Sequence, residues 1–346
     1  MHTKTNRNLP SDQVLWDFHM KTLFYPLLLA ADSLFFFDAF KSHPIEISEL
    51  RNILKVGNRF LEICTSLFSN QNLIVHKNGC VELTETSKTY LLRSSAFYWG
   101  GMFELGKVNY PIFNEIIKAA KSDFEANFNS DHEFVLGWVK GEQKPEVVKK
   151  FTAAMQSQSL ASAQSAARLG VFKNIHELLD VGAGSGCFSI EALKEDQELR
   201  CTLFDFPQVC EIAKDFATLN GVSDRISLNP GNFFSDTWPE GHDGILFSHI
   251  LHDWPIETCL ELLRKANESL EEGGMLFINE HLLDEDRRSP ADTIGFSITM
   301  LIRTRGKQYT FSDIEQMLLA SGFKIESSQK TIGPASIIAA KKGIIK

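Results

Sequence analysis

Between Asp12 and about Lys55 apolar residues recur with a period near that of an α-helix, as in "VLWDFHMKTLFYPLLLAADSLFFFDAF", which predicts a run of helices. "PIEISELRNIL" and "GNRFLEICTSLFSNQNLIV" carry the same rhythm. "NLIVHKNGCVELTETSKTYL" instead alternates around Asn78-Gly79, a strong hairpin signal. Helices followed by a small hairpin describe a winged helix. The helix in the recognition position, residues 58–69, carries Arg59, Glu62 and large apolar residues, a face suited to protein contact. An aromatic-rich helical stretch follows from about Trp99 to Leu169. The pattern then changes: short apolar runs ("HELLDVG", "RCTLFDF", "RISLNPG", "DGILFSHI", "GMLFINEHL") alternate with helical segments, the mark of βαβ units and a parallel sheet. Only Ile332-Gly333-Pro334 separates the last two strands, "FKIESSQKT" and "ASIIAAKK". So short a link cannot be a helical crossover, so one of them must run antiparallel.

A chain of 346 residues that is 43% hydrophobic has material for two globular parts. A net charge of -9 without basic clusters disfavours nucleic acid and favours a small-molecule partner. The six cysteines show no C-x-x-C spacing, which argues against disulfides and structural zinc and points to a reducing, cytoplasmic compartment. The longest apolar run is broken by Pro26, Asp32 and Asp38, and the N-terminal "MHTKTNRNLPSD" is polar, so neither a membrane span nor a signal peptide is expected.

"LLDVGAGSGCFSIEAL" is a strand, a turn with Gly182, Gly184 and Gly186, and a helix. Such glycines let a ligand approach the backbone next to unpaired helix N–H groups. Cys187 occupies the third glycine position of the dinucleotide fingerprint, so the spacing opposes a pyrophosphate and a nicotinamide-dependent oxidoreductase. About twenty residues on, Asp205 ends the next strand, where an acid accepts from ribose hydroxyls. Taken separately these are a tight turn and a loop carboxylate; together they favour a nucleoside.

With "LLDVGAGSG", "LFDFPQV", "GNFF", "SHILHDWPIE", "LEEGGMLFINE" and "RGKQYTFSDIEQML" in this order, nearly the whole chain resembles the class I S-adenosylmethionine-dependent methyltransferases, specifically the small-molecule O-methyltransferases of plants and bacteria. The resemblance implies an α/β fold: a Rossmann-like seven-stranded sheet whose final strand is inserted antiparallel, plus a mostly helical winged-helix dimerisation domain. It implies a dimerisation domain over 1–98, a helical bridge to the acceptor pocket over 99–170 and a catalytic domain over 171–346. Gly182, Gly184 and Asp205 would hold the methionine and ribose parts of S-adenosylmethionine, and Phe206 and Phe233 would pack on adenine. Ser159 would reach the cofactor carboxylate, with Phe151 and Met155 near the transferring methyl, although an ordinary amphipathic helix would also explain "FTAAMQSQSL". Asn232 replaces a usual aspartate, its amide oxygen still able to accept from the adenine amino group, and Ser248 replaces a lysine common in plant members.

Methyl transfer to a phenol requires a base, and a neutral histidine can take the proton. Phenol and imidazole differ by about 3.5 pKa units, which a neighbouring sulfonium narrows, so a base of ordinary pKa suffices. His252, beyond a central strand, matches the family base, and Glu280 matches its orienting carboxylate. Gln308 stands where plant enzymes have a second glutamate, which leaves one charged orienter. Asp253, ahead of Trp254-Pro255, reads as a helix cap. His249, three residues before His252, would point to the opposite face if the strand continues, which disfavours a shared metal. Met300 would line the acceptor pocket; Arg303 on nearly the same face either clamps an acceptor carboxylate or complements a helix C-terminus at the surface. The expected activity is methylation of a hydroxyl on a small aromatic molecule in secondary metabolism. Methylation at carbon, on an aromatic ring or an aryl 2-oxo acid, is the alternative.

Overall fold

A computed structural model describes residues 10–40, 44–124, 137, 138, 140 and 142–343; the polar stretch through residue 9 lies outside them. In chain order the first half comprises α1 (Gln13–Lys21), α2 (Phe24–Ser33), α3 (Ile47–Leu54), α4 (Asn58–Asn70), β1 (Ile74–Lys77), β2 (Cys80–Leu83), α5 (Glu85–Tyr90), α6 (Gly100–Asn109), α7 (Ile112–Phe124) and α8 (Pro145–Leu169). Then follow β3 (Glu177–Val181), α9 (Cys187–Glu195), β4 (Arg200–Asp205), α10 (Pro207–Leu219), β5 (Ile226–Pro230), β6 (His242–Ser248), α11 (Ile256–Ser269), β7 (Leu270–His281), α12 (Ala291–Arg303), α13 (Phe311–Ala320), β8 (Phe323–Lys330) and β9 (Ala335–Lys342).

The chain forms two compact units. One comprises residues 1–16, 136–281 and 312–346, and is built on a seven-stranded sheet of order β5-β4-β3-β6-β7-β9-β8. β5 to β7 run parallel, while β9 is antiparallel to both β7 and β8, as the short Ile332-Gly333-Pro334 link requires. The central strands are covered on both faces, hence the continuous apolar runs in β3 and β6. β8, at the edge, is largely exposed and carries Lys324, Glu326 and Lys330, charges that discourage strand addition. The chain therefore leaves the sheet at the carboxyl ends of β3, β4, β6 and β7, the edge where open α/β sheets bind ligands.

The other unit comprises residues 17–135 and 282–311. Its hairpin pairs Lys77 with Cys80 across Asn78-Gly79, and its helices close over a core that includes Leu27, Leu29, Phe36, Phe60, Phe68 and Phe103. From the later part of the chain, Ile294, Ile298 and Leu301 of α12 enter this same core.

Candidate functional site

At the end of β3 the chain turns through Gly182 and Gly184 in the left-handed region, with φ of 67° and 58°. A Cβ on Gly182 would meet the end of the Ile250 side chain, whereas one on Gly184 would meet nothing within 4 Å. Both positions favour glycine through their positive φ, and Gly184 leaves an open cradle. Asp205, at the end of β4, accepts from the N–H of Gly184 at 2.9 Å and of Phe206 at 2.7 Å. Burial pushes its carboxyl up to about 6 despite those two bonds, so hydroxyl donors from a ligand would favour the charged form. A ribose fits that need.

Around the cradle, Phe206 immediately precedes α10, and Phe233 is buried with its ring 4.5 Å from that of Phe234. Asn232 Oδ1 already accepts from the Phe234 N–H at 3.0 Å, and the Asn232 N–H donates to Asp236 at 2.8 Å. Its amide oxygen therefore shapes the turn. Ser159 is buried on α8, and one turn earlier Gln156 accepts from Ser185 Oγ at 2.5 Å, which ties that helix to the glycine turn. Ser248 Oγ accepts from Asn279 Nδ2 at 3.3 Å.

His252 lies in a single 3₁₀ turn, Leu251–Asp253, just past β6. Its Nδ1 is 2.6 Å from Glu280 Oε2, while Glu280 Oε1 accepts from the N–H of Leu251 at 2.9 Å and of His252 at 3.3 Å. One carboxylate on the neighbouring strand thus fixes both the ring and its backbone. His252 and Glu280 are both buried. Burial alone would lower the histidine pKa, but Glu280 and then Asp253 outweigh it and the net shift is upward. Glu280 is held below its ordinary value, because the His252 charge and hydrogen bond exceed the cost of its own burial.

Three sequence expectations change here. Asp253 caps nothing: α11 begins after Pro255 with no side-chain cap, and Asp253 Oδ1 instead lies 3.6 Å from His252 Nε2. His252 therefore has a carboxylate at each ring nitrogen, not one orienter, and its pKa is raised. β6 ends at Ser248, before His249, whose φ of 56° turns the chain. The strand alternation accordingly lapses, and the two imidazoles come within 5.5 Å, centre to centre. His249, His252 and Glu280 could offer ligand atoms within 4.8 Å of one another. Burial lowers His249 to about 4 and His281, whose ring is 5.0 Å from that of His249, well below its ordinary value. Where a strand ends could not be read from composition; a reading that stopped β6 two residues earlier would have found this cluster.

Phe151 and Met155 lie on α8, Phe151 with its ring 5.2 Å from Trp138. Met300 and Arg303 belong to the other unit. Met300 is buried, its carbonyl accepting from Arg59 Nη2 at 2.7 Å. Arg303 is half exposed and lies 3.6 Å from Glu115, also half exposed. That is the surface placement at a helix C-terminus, not a buried carboxylate clamp. Gln308 is buried in the same unit, and neither of its amide atoms has a partner among the described residues.

A family model described as an O-methyltransferase domain matches residues 113–324. The chain is 27% identical over 296 residues to a 3-hydroxy-5-methyl-1-naphthoate 3-O-methyltransferase of Streptomyces sahachiroi, covering 85% of this chain and 84% of that protein. It is 26% identical over 277 residues to the acetylserotonin O-methyltransferase of Gallus gallus, covering 79% of each. Its fold is similar to that of an O-methyltransferase family 2 protein from Planctomyces limnophilus solved with apigenin, at a TM-score of 0.84 and 25% identity over 97% of this chain and 98% of that one.

Proposed function

This chain belongs to the O-methyltransferase domain family and is an S-adenosylmethionine-dependent methyltransferase, and from that premise we propose that it methylates a hydroxyl of a small aromatic molecule with His252 as general base. The observation that carries this is the buried His252 held between Glu280 and Asp253. When bound, the cofactor supplies an electrophilic methyl group on a sulfonium. Gly182 and Gly184 would let it approach the backbone, and Asp205 would accept from its ribose. With Nδ1–H donating to Glu280, the unprotonated Nε2 of neutral His252 is the atom that would take the phenolic proton. The imidazolium that results sits between two carboxylates, which stabilises it and narrows the pKa gap to a phenol. The family relatives act on oxygen in small molecules, as their names state, and this supports the same acceptor class here.

The test is transfer of a labelled methyl from S-adenosylmethionine to a panel of hydroxyaromatics, with the labelled position read in the product. His252→Ala should lower turnover about 10² to 10⁴-fold while cofactor affinity stays near that of the parent. Near-normal turnover in that variant would leave proximity alone as the mechanism, and label at a ring carbon would move the acceptor from oxygen to carbon.

A further inference from the structure

The end of β6 gathers more donor atoms than a single proton transfer uses. His249, His252 and Glu280 each offer one ligand atom, and the three atoms lie within 4.8 Å of one another. All three residues belong to the sheet unit. His249 follows β6 directly at a φ of 56°, a conformation L residues rarely adopt, and its N–H donates to the Asn279 carbonyl at 3.0 Å. Its Nε2 lies 3.1 Å from Asn279 Nδ2, and its ring packs 5.0 Å from that of His281, which in turn lies 4.6 Å from Trp16. His249 Nδ1 is buried and has no partner among the described residues. An imidazole fixed through one nitrogen, with the other unmet beside a second imidazole and a carboxylate, is how proteins present a metal ligand.

Asn279, fully buried, can serve either tautomer of His249. In one orientation its Nδ2 donates to His249 Nε2 and to Ser248 Oγ, while its Oδ1 accepts from Ser162 Oγ at 3.3 Å. His249 Nδ1 then carries a proton that meets no acceptor. With the amide turned over, Oδ1 accepts from His249 Nε2–H and from Ser248, and Nδ2 donates to Ser162 Oγ, whose own hydroxyl donates to Thr331 Oγ1 at 2.8 Å. No bond is lost, and Nδ1 becomes a bare lone pair that a cation satisfies. Glu280 and Asp253, 2.6 Å and 3.6 Å from the ring nitrogens of His252, supply two negative charges against the two of a divalent ion. We propose that His249, His252 and Glu280 bind one zinc-class divalent ion reversibly, and that the occupied site cannot transfer a methyl group. Two imidazoles and a carboxylate suit zinc rather than magnesium or calcium, and they leave the fourth position to water. Zinc bonds of about 2.0 Å set tetrahedral ligand atoms roughly 3.3 Å apart, so the three atoms need close by no more than about 1.5 Å. A neutral imidazole has one lone pair, and coordination takes it. Whichever nitrogen of His252 binds, the other carries the proton, so the ring can accept none from a phenol. The switch rests on the reading of His252 as the base.

The experiment titrates metal-stripped, tag-free protein with cobalt(II), and with zinc by equilibrium dialysis, in the parent, His249→Asn and Asn279→Leu, and measures zinc inhibition of methyl transfer in each. Asparagine is chosen because it tolerates the left-handed backbone at that position. The parent should bind about one equivalent, with the visible bands of four-coordinate cobalt and no thiolate charge-transfer band, which sets the cysteines aside. Removing the carboxamide in Asn279→Leu should weaken zinc about 10 to 100-fold, and removing a ligand in His249→Asn should weaken it more. Across the three proteins the inhibition constant for zinc should follow its dissociation constant, and a chelator should restore the rate. A parent that binds no cobalt, or binds it with the spectrum and affinity of His249→Asn, would overturn the site. If the ion binds as expected but saturating zinc leaves turnover unchanged, the switch falls and His252 falls with it as the base. If no hydroxyaromatic is methylated, the cobalt comparison alone decides the ion site, and the reading of the acceptor fails separately.

Discussion

At the scale of single residues, the buried charge around His252 sets how the site responds to pH. A histidine whose pKa is raised is protonated at rest near neutrality, and only the neutral ring can take a proton. If His252 is the base proposed, the competent fraction increases as pH rises through the raised pKa, and kcat/KM, which reports the free enzyme, should climb across the range above neutrality. Glu280→Gln removes the nearer negative charge, so the acid limb should move to lower pH while the maximal rate falls, because the imidazolium formed in the reaction loses a stabilising partner. Asp253→Asn should move the limb in the same direction by less, in line with 3.6 Å against 2.6 Å. A pH–rate profile unchanged in both variants would remove His252 from the titration. None of this was legible in "LHDWPIE", where Asp253 followed by Trp254-Pro255 has the spacing of a cap; the 3₁₀ turn that redirects the carboxylate depends on Glu280, 28 residues away, holding the backbone N–H of His252.

The strand–turn–helix at Val181–Cys187 separates packing from binding within one element. Gly184→Ala adds a Cβ to open space but forces an L residue to a φ of 58°, a cost of about 1–2 kcal/mol. Gly182→Ala adds to that cost the displacement of the Ile250 side-chain end, so its Tm should fall further. If Gly184 forms the floor of the cofactor site, Gly184→Ala should lose cofactor affinity out of proportion to its modest fall in Tm, measured by titration at a temperature where both variants are folded. Loss of affinity that only tracks Tm would make the turn structural. Elements of this kind were readable from sequence because their causes are local: apolar runs for β3 to β7, Asn78-Gly79 for the hairpin, and a three-residue link for the antiparallel β8–β9 pair. The hold of α4 on α12 was not, because Arg59 and its acceptors Met300 and Thr304 lie more than two hundred residues apart and the acceptors are backbone carbonyls, which no side-chain pattern marks. Sequence left two placements open for Arg303 for a related reason, since helical spacing put it near Met300 but could not show Glu115 of α7 beside it at the surface.

For the whole molecule, residues 14–40 hold more large apolar side chains than one small helical domain usually buries alone. Much of that density is spent internally: Leu27, Leu29, Ala30, Ala31, Phe36 and Phe37 are buried in the helical unit's own core. What remains uncovered lies elsewhere. Val14, Leu15 and Phe18 on α1 are each more than half exposed, and so are Trp99, Met102, Leu105 and Val108, which recur every three residues into and along α6. Apolar side chains in a continuous run of that kind mark an interaction surface, whereas isolated ones would be ordinary. Among the described residues no helix is long and apolar enough to cross a membrane. A second copy of the chain is the occupant we propose, in keeping with the dimerisation domain that the family resemblance implies. Sedimentation velocity at micromolar concentration should show a dimer. The double substitution Met102→Glu, Leu105→Glu should give a folded monomer, because both side chains are exposed in the single chain and their charge opposes only association. A parent protein that sediments as a single monomeric species would sink the homodimer, while a dimer that survives both substitutions would move the interface from α6 to the exposed residues of α1.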